Sequence, residues 1–213
     1  MARKIGLLTF IMLIVSFEEA IAQGIKIGNQ QWMTKNLDVS KFRNGEDILE
    51  VKSHEEWSNA LKTETPAFCY YNFNKENSIK FGKLYNWHAV IDYRGLAPQG
   101  WKIPSPEDFE NLLFFLGRES GIDLKHINWL NEIYGNSENI KQIHPGFNAM
   151  PGGFKSPAGG FGLINESATI WTCALENSYH VYCFTIDKLT GGFESCCDGF
   201  GVSGGASVRC IRE

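Results

Sequence analysis

The sequence predicts a loop-rich α+β fold, and three observations predict it. Two capped, amphipathic helical patterns stand in the first half, beginning at Ser53 and Ser105. After residue 140 the segments become short, aromatic and β-branched, with glycines between them. The chain has 22 glycines and seven prolines but no long periodic segment after residue 118, so irregular loop should fill much of it.

The elements follow in chain order. Arg3 and Lys4 precede an apolar run from Ile5 to Phe17, and Ala20-Ile21-Ala22 then offers small residues for cleavage. That order is the pattern of an export signal over residues 1–22, with Gln23 as the new N-terminus. The run is too short to span a bilayer. Ile25 to Met33 alternates around Gly28-Asn29, which reads as a short hairpin. Ser53 with Glu56 forms a capping box, Trp57 and Leu61 share one helical face, and Pro66 sets the stop. In the second helix Ser105 is the N-cap and Pro106 the first helical position, with Glu107 and Asp108 at the positive end of the dipole. Phe109, Leu112, Leu113 and Leu116 form its apolar stripe, and Gly117 is the expected C-cap. Ala168–Cys173, Tyr179–Ile186 and Ser207–Ile211 read as strands. Pro151-Gly152-Gly153, Gly159-Gly160 and Gly204-Gly205 read as tight turns.

Composition narrows the function. The leader removes two basic and two acidic residues, so 213 − 22 = 191 residues remain and the net charge stays at −4. This length suits a single domain over residues 23–213 with one sizeable core. A weakly acidic chain without a basic block is a poor partner for nucleic acid, and no second apolar run calls for membrane insertion. All six cysteines (Cys69, Cys173, Cys183, Cys196, Cys197 and Cys210) lie beyond the leader. An even count in an exported chain predicts at least one disulfide but leaves 15 connectivities open.

The usual marks of catalysis are missing from the sequence. His54, His88, His126, His144 and His180 include no pair at metal-binding helical spacing, and no cysteines stand as C-x-x-C. There is no G-x-S-x-G elbow and no phosphate-cradling lysine loop. His88 reads as a packing residue. Asp187 and Asp198 have no carboxylate partner by local spacing. The expectation is a non-enzymatic chain with no catalytic, cofactor or metal residue. The aromatic content, 13% with six tryptophans, reads mainly as core. Trp32, Trp87 and Trp101 are expected to be buried, the latter two against Phe109 and Leu112.

Several stretches carry a family resemblance. Ile27-Gly28-Asn29-Gln30-Gln31-Trp32-Met33 with Asn36-Leu37 opens it, and Asn44-Gly45-Glu46 with Trp57 continues it. The most specific blocks are Gly82-Lys83-Leu84-Tyr85-Asn86-Trp87-His88-Ala89-Val90 and Arg94-Gly95-Leu96-Ala97-Pro98-Gln99-Gly100-Trp101-Lys102-Ile103-Pro104-Ser105. Gly146-Phe147-Asn148-Ala149-Met150-Pro151-Gly152-Gly153-Phe154 and Ser207-Val208-Arg209-Cys210-Ile211-Arg212 close it. From Ile25 onward the chain resembles the family called the Fibrobacter succinogenes major paralogous domain.

The resemblance implies a C-type-lectin-like fold, similar to sulfatase-modifying-factor domains, with two helices and a twisted antiparallel sheet. It also implies an exported bacterial protein, secreted or periplasmic. The structural motif residues it marks are Trp32, Asn36, Gly82, Tyr85, Trp87, Gly100, Trp101, Pro104, Pro151, Gly152, Gly153, Trp171, Arg209 and Cys210. The Ile170-Trp171-Thr172-Cys173 stretch and the Cys196-Cys197 pair depart from the family pattern. The calcium-dependent sugar motifs of animal lectins and the sulfatase-modifying cysteine site do not occur in the sequence. The first functional expectation is therefore a binding or surface-interaction module for an extracellular glycan or protein. A divergent enzyme of the sulfatase-modifying-factor type and a structural component of a surface assembly are the alternatives.

Overall fold

A computed structural model describes residues 24–120, 147, 150–157, 159–175, 179–187, 193–195 and 201–213. The predicted leader, His126, His144, Cys196, Cys197 and Asp198 lie outside them. The architecture is α+β and loop-rich.

The hairpin forms as predicted. β1 (Gly24–Ile27) pairs antiparallel with β2 (Gln30–Met33), and Gly28 turns the chain at φ +58°. A Cβ at Gly28 would collide with the Phe115 ring, so the turn requires glycine twice over. β3 (Leu49–Glu50) precedes α1 (His54–Lys62). Ser53 Oγ accepts the Glu56 N–H at 3.1 Å, while the Glu56 carboxylate reaches back to the Lys52 N–H at 2.6 Å. The box therefore closes one residue earlier than the sequence pattern implies. The helix stops well before Pro66. Thr63 caps it, Glu64 turns at φ +52°, and the Thr65 N–H returns to the Ala60 carbonyl at 2.8 Å.

β4 (Ala67–Cys69), α2 (Ser78–Phe81), β5 (Leu84–Asn86), α3 (Trp87–Val90) and β6 (Trp101–Lys102) follow. The two short helices were not foreseen. α3 is a single turn capped by Asn86, whose Oδ1 accepts the Ala89 N–H. The second predicted helix is α4 (Pro106–Ser120). Ser105 Oγ accepts the Asp108 N–H at 3.1 Å, and Asp108 Oδ2 accepts the Ser105 N–H at 2.9 Å, a reciprocal cap. The helix runs through Gly117 rather than ending there. The Arg118-Glu119 that follows favours helix, so an interior glycine costs only about 1 kcal/mol against alanine.

The second half contributes β7 (Gly152–Lys155), β8 (Phe161–Ile164), β9 (Ser167–Leu175), β10 (Val181–Asp187), β11 (Phe193–Ser195), β12 (Gly205–Ala206) and β13 (Ile211–Arg212). Two sheets result. The smaller has the order β1-β2-β13-β6, and the larger has the order β11-β10-β9-β7-β12-β5-β4-β3, with β8 on β7. The larger sheet is antiparallel at most of its pairings, as expected, and parallel at two, β3 with β4 and β7 with β9.

Two predicted elements change character. Gly152-Gly153 is strand rather than turn. Gly152 pairs with Ile164 and Gly153 with Ala168. A Cβ on Gly153 would strike the Gly162 carbonyl, so these glycines allow strands to approach closely. Gly205 is likewise in a strand, against the Trp57 ring. The predicted strand Ser207–Ile211 divides. Ala206 lies in the larger sheet and Ile211 in the smaller. Between them the chain is bonded on both flanks: Ser207 O accepts from Trp171 N, while Val208 O and Cys210 O accept from Leu37 N and Met33 N. Residues 207–210 are the seam between the sheets and are buried throughout.

Three buried clusters fill the interior. α4 presses Phe109 onto Phe184 of β10, with rings stacked 4.1 Å apart, and buries Leu112 completely. Trp32, Trp87 and Trp101 are buried as expected. Trp87 and Trp101, however, belong to a cluster with Tyr85 and Val208, whereas Trp32 is the tryptophan beside Phe109 and Leu112.

Candidate functional site

The predicted motif residues turn inward. Trp32 of β2 meets Phe109 at 5.0 Å and Phe147 at 5.5 Å. Trp171 of β9 donates Nε1–H to the Tyr85 carbonyl at 2.8 Å and packs on Trp87. The Tyr85 hydroxyl donates to the Val39 carbonyl, and burial raises its pKa well above the usual tyrosine range. Asn36 accepts two Arg209 donors on Oδ1, at 2.7 and 3.2 Å, and donates Nδ2–H to the Phe81 carbonyl. Arg209 also donates to the Phe147 carbonyl and lies over the Phe147 ring. Gly82 (φ +75°) passes close to Leu37, Gly100 (φ +74°) lies under the Arg212 guanidinium, and Pro104 and Pro151 accept backbone bonds from Cys173 and Asn165. Cys210 is buried with its thiol pushed up to about 12 by burial. These residues build the scaffold.

The buried ionisable groups also follow burial. Cys69 is pushed up to about 12 by loss of solvent, against a smaller opposite pull from Lys155. A thiol held protonated is a poor nucleophile. Lys155 is lowered by the same loss of solvent, and its ammonium donates to the Ser156 and Gly159 carbonyls, closing the β7–β8 turn. His88 is lowered by partial burial. Among the described residues no group of three or more histidines, cysteines or carboxylates could hold a metal, and no helix is long and apolar enough to cross a membrane.

The distinctive surface lies elsewhere, where loops 41–47 and 91–95 meet. The first folds on itself through the Lys41–Asp47 bridge, Phe42 N to Glu46 O at 2.8 Å, and Gly45 at φ +90°. The second turns on Asp92, which accepts the Arg94 N–H on Oδ1 at 2.9 Å. One backbone bond joins them, Arg43 N to Gly95 O at 2.8 Å. Arg94 provides the main weld. Its Nε and Nη2 grip both Asp92 oxygens at 2.8 and 2.9 Å, its Nη1 reaches Glu46 Oε2 at 2.7 Å, and its plane lies 4.1 Å over the buried Phe42 ring. The Arg94 hydrogen bonds hold the Glu46 and Asp92 carboxyls below their ordinary values and raise the guanidinium's own. Arg43 anchors the pair from below, donating to the Ala97 and Trp101 carbonyls. Tyr93, 93% exposed, and Ile91, 54% exposed, project from this frame.

In the sequence Asn44-Gly45-Glu46 and Arg94-Gly95 stand only as parts of the family motifs, and no motif marks Tyr93. The available signal was Asp92-x-Arg94, an aspartate placed to cap its own turn and pair with the arginine.

The family model named Fibrobacter succinogenes major domain matches residues 25–212. The chain belongs to that family. No curated protein and no solved structure matches it. In this member of the Fibrobacter succinogenes major domain family the large motif side chains lie in the interior and the seam, and the loop between α3 and Gly95 exposes Ile91 and Tyr93.

Proposed function

We propose that this chain is an exported, non-enzymatic binding module that meets an extracellular ligand through the paired loops 41–47 and 91–95. One observation carries the reading: a hydrogen-bonded, ion-paired frame holds an almost fully exposed tyrosine, while the tryptophans of the family motifs are packed inside. A large ring kept in water on an ordered support is the ordinary form of a recognition surface. A C-type-lectin-like use of the fold, with loops carrying specificity on a constant scaffold, agrees with this. Export fits the cysteines too. All six lie beyond the predicted leader, and disulfides among them would persist in an oxidising compartment.

Expression of the full chain with its own leader tests the export half. The product should be periplasmic or secreted and begin at Gln23; a cytosolic protein still starting at Met1 as the normal product overturns it. Hydrogen exchange tests the binding half, with the protein mixed with envelope material from cells that produce it. Slowed exchange in loops 41–47 and 91–95 supports the reading, and slowing confined to other segments overturns it.

A further inference from the structure

We infer that the ligand of the loop pair is a neutral glycan, seated with a sugar ring on the face of Tyr93; the inference rests on the binding role of those loops. Three features of the surface select this class.

The first is charge. Every charged side chain of the two loops is already in an ion pair. Lys41 pairs with Asp47 at 2.6 Å, Arg43 with Glu213 at 3.6 Å, and Arg94 with Glu46 at 2.7 Å and Asp92 at 2.8 Å. A charged ligand would compete with a formed pair at each of these charges. An uncharged ligand leaves the frame intact and takes the lone pairs and N–H groups that the pairs leave unused. Arg94 holds Glu46 and Asp92, and Lys41 holds Asp47 through Oδ1, so these side-chain cations organise the surface in place of a calcium ion.

The second is size. In the two loops the large exposed apolar side chains are Ile91 and Tyr93. A stable protein interface needs on the order of 800 Å² from each partner, with an apolar centre. One ring beside one aliphatic side chain matches a sugar unit or two instead.

The third is the dual character of a pyranose, which has an apolar face of C–H groups and an edge of hydroxyls. The Tyr93 ring offers a flat apolar face with a polar rim. Its hydroxyl has no hydrogen-bond partner among the described residues. The partner loop adds exposed polar groups that can meet sugar hydroxyls: the Asp47 carboxylate, bonded through Oδ1, and the Asn44 side chain. Arg94 lies 5.9 Å from the Tyr93 ring and fixes the loop that carries it.

The test uses the full chain after leader removal on an array of neutral gluco-, xylo- and manno-oligosaccharides beside uronate-containing and sulfated ones, each run with and without EDTA. The wild type should bind at least one neutral series. Tyr93→Ala should weaken it by about tenfold or more, and Tyr93→Phe should stay within about threefold, because the ring face is kept. Affinity should barely change between about 0.05 and 0.5 M salt, and EDTA should have no effect. Binding to charged glycans alone, lost in Tyr93→Ala and steep in salt, overturns the neutral class while leaving the loops as the binding surface. Neutral-glycan binding untouched by Tyr93→Ala overturns both the inference and the loop reading. No binding to any glycan overturns the inference, and the hydrogen-exchange experiment then judges the loop reading by itself.

Discussion

Arg209 and Arg94 do the same job in two different media. Each guanidinium ties together two distant stretches of chain: Arg209 joins Asn36 to Phe147 inside the protein, and Arg94 joins Glu46 to Asp92 at its surface. Arg209 is fully buried, whereas the Arg94 side chain keeps 19% of its exposure beside a solvated Glu46. In a dry interior a lost partner leaves a charge that water cannot reach, so the cost falls on folding. At the surface water replaces the partner, and the cost falls on the shape of the loop. The two regions therefore separate stability from display, and substitutions can show whether that division holds.

The largest effect is expected in the interior. Trp101→Ala should destabilise by roughly 3–5 kcal/mol, because it opens a cavity beneath the seam. An unchanged denaturant midpoint would show that Trp101 is not part of the scaffold. A milder pair sharpens the point. Trp101 Nε1 has no partner among the described residues, whereas Trp171 Nε1 donates to the Tyr85 carbonyl. Replacing each by phenylalanine should cost more at 171, by about 1–3 kcal/mol, since only there is a buried bond broken and an acceptor left behind.

Next comes the direct test of the two arginine systems. Asn36→Ala removes the oxygen that accepts two Arg209 donors and should cost about 3 kcal/mol. Glu46→Gln, the corresponding change at Arg94, should leave the unfolding midpoint where it is while quickening amide exchange in residues 41–47. Equal losses of stability from both variants would break the comparison.

The cap of α4 stands between these extremes, half-buried at the edge of the core. Ser105→Ala should cost about 1 kcal/mol; no shift in the melting midpoint would dismiss the reciprocal cap. This is also the part of the fold that was most legible in the sequence. Ser105-Pro106, the acidic first turn, and the Phe109–Leu112 spacing are local signals for a local structure, and the Gly28 hairpin is another. The failures occur where distant chain decides the outcome. Nothing near Gly152 says that strands will press against it on both flanks, and nothing in Ser207–Ile211 says that its two ends join different sheets. Fully buried seam residues do not alternate, so a period-2 reading cannot place them. The loop pair was hidden for the same reason. Beside Tyr93, Arg94 clasps Glu46, 48 positions earlier, and that pairing has no periodic signature.

The smallest expected effect on stability is at Tyr93, and it bears most on function. A ring that is 93% exposed gives up almost no water contact on folding, so its removal takes nothing from the core. Tyr93→Ala should therefore change the unfolding free energy by no more than about 0.5 kcal/mol, within the range of ordinary surface substitutions. The loop beneath should keep its form, because Asp92, Arg94 and the Arg43–Gly95 bond hold it without the ring. Equilibrium denaturation, run beside hydrogen exchange of residues 91–95, measures both quantities. If Tyr93→Ala lost as much stability as Ser105→Ala, the ring would be a packing residue and the surface would no longer divide from the scaffold. If stability and loop exchange hold while ligand binding falls, the exposed tyrosine has no structural work to account for its place, and recognition is the role left to it.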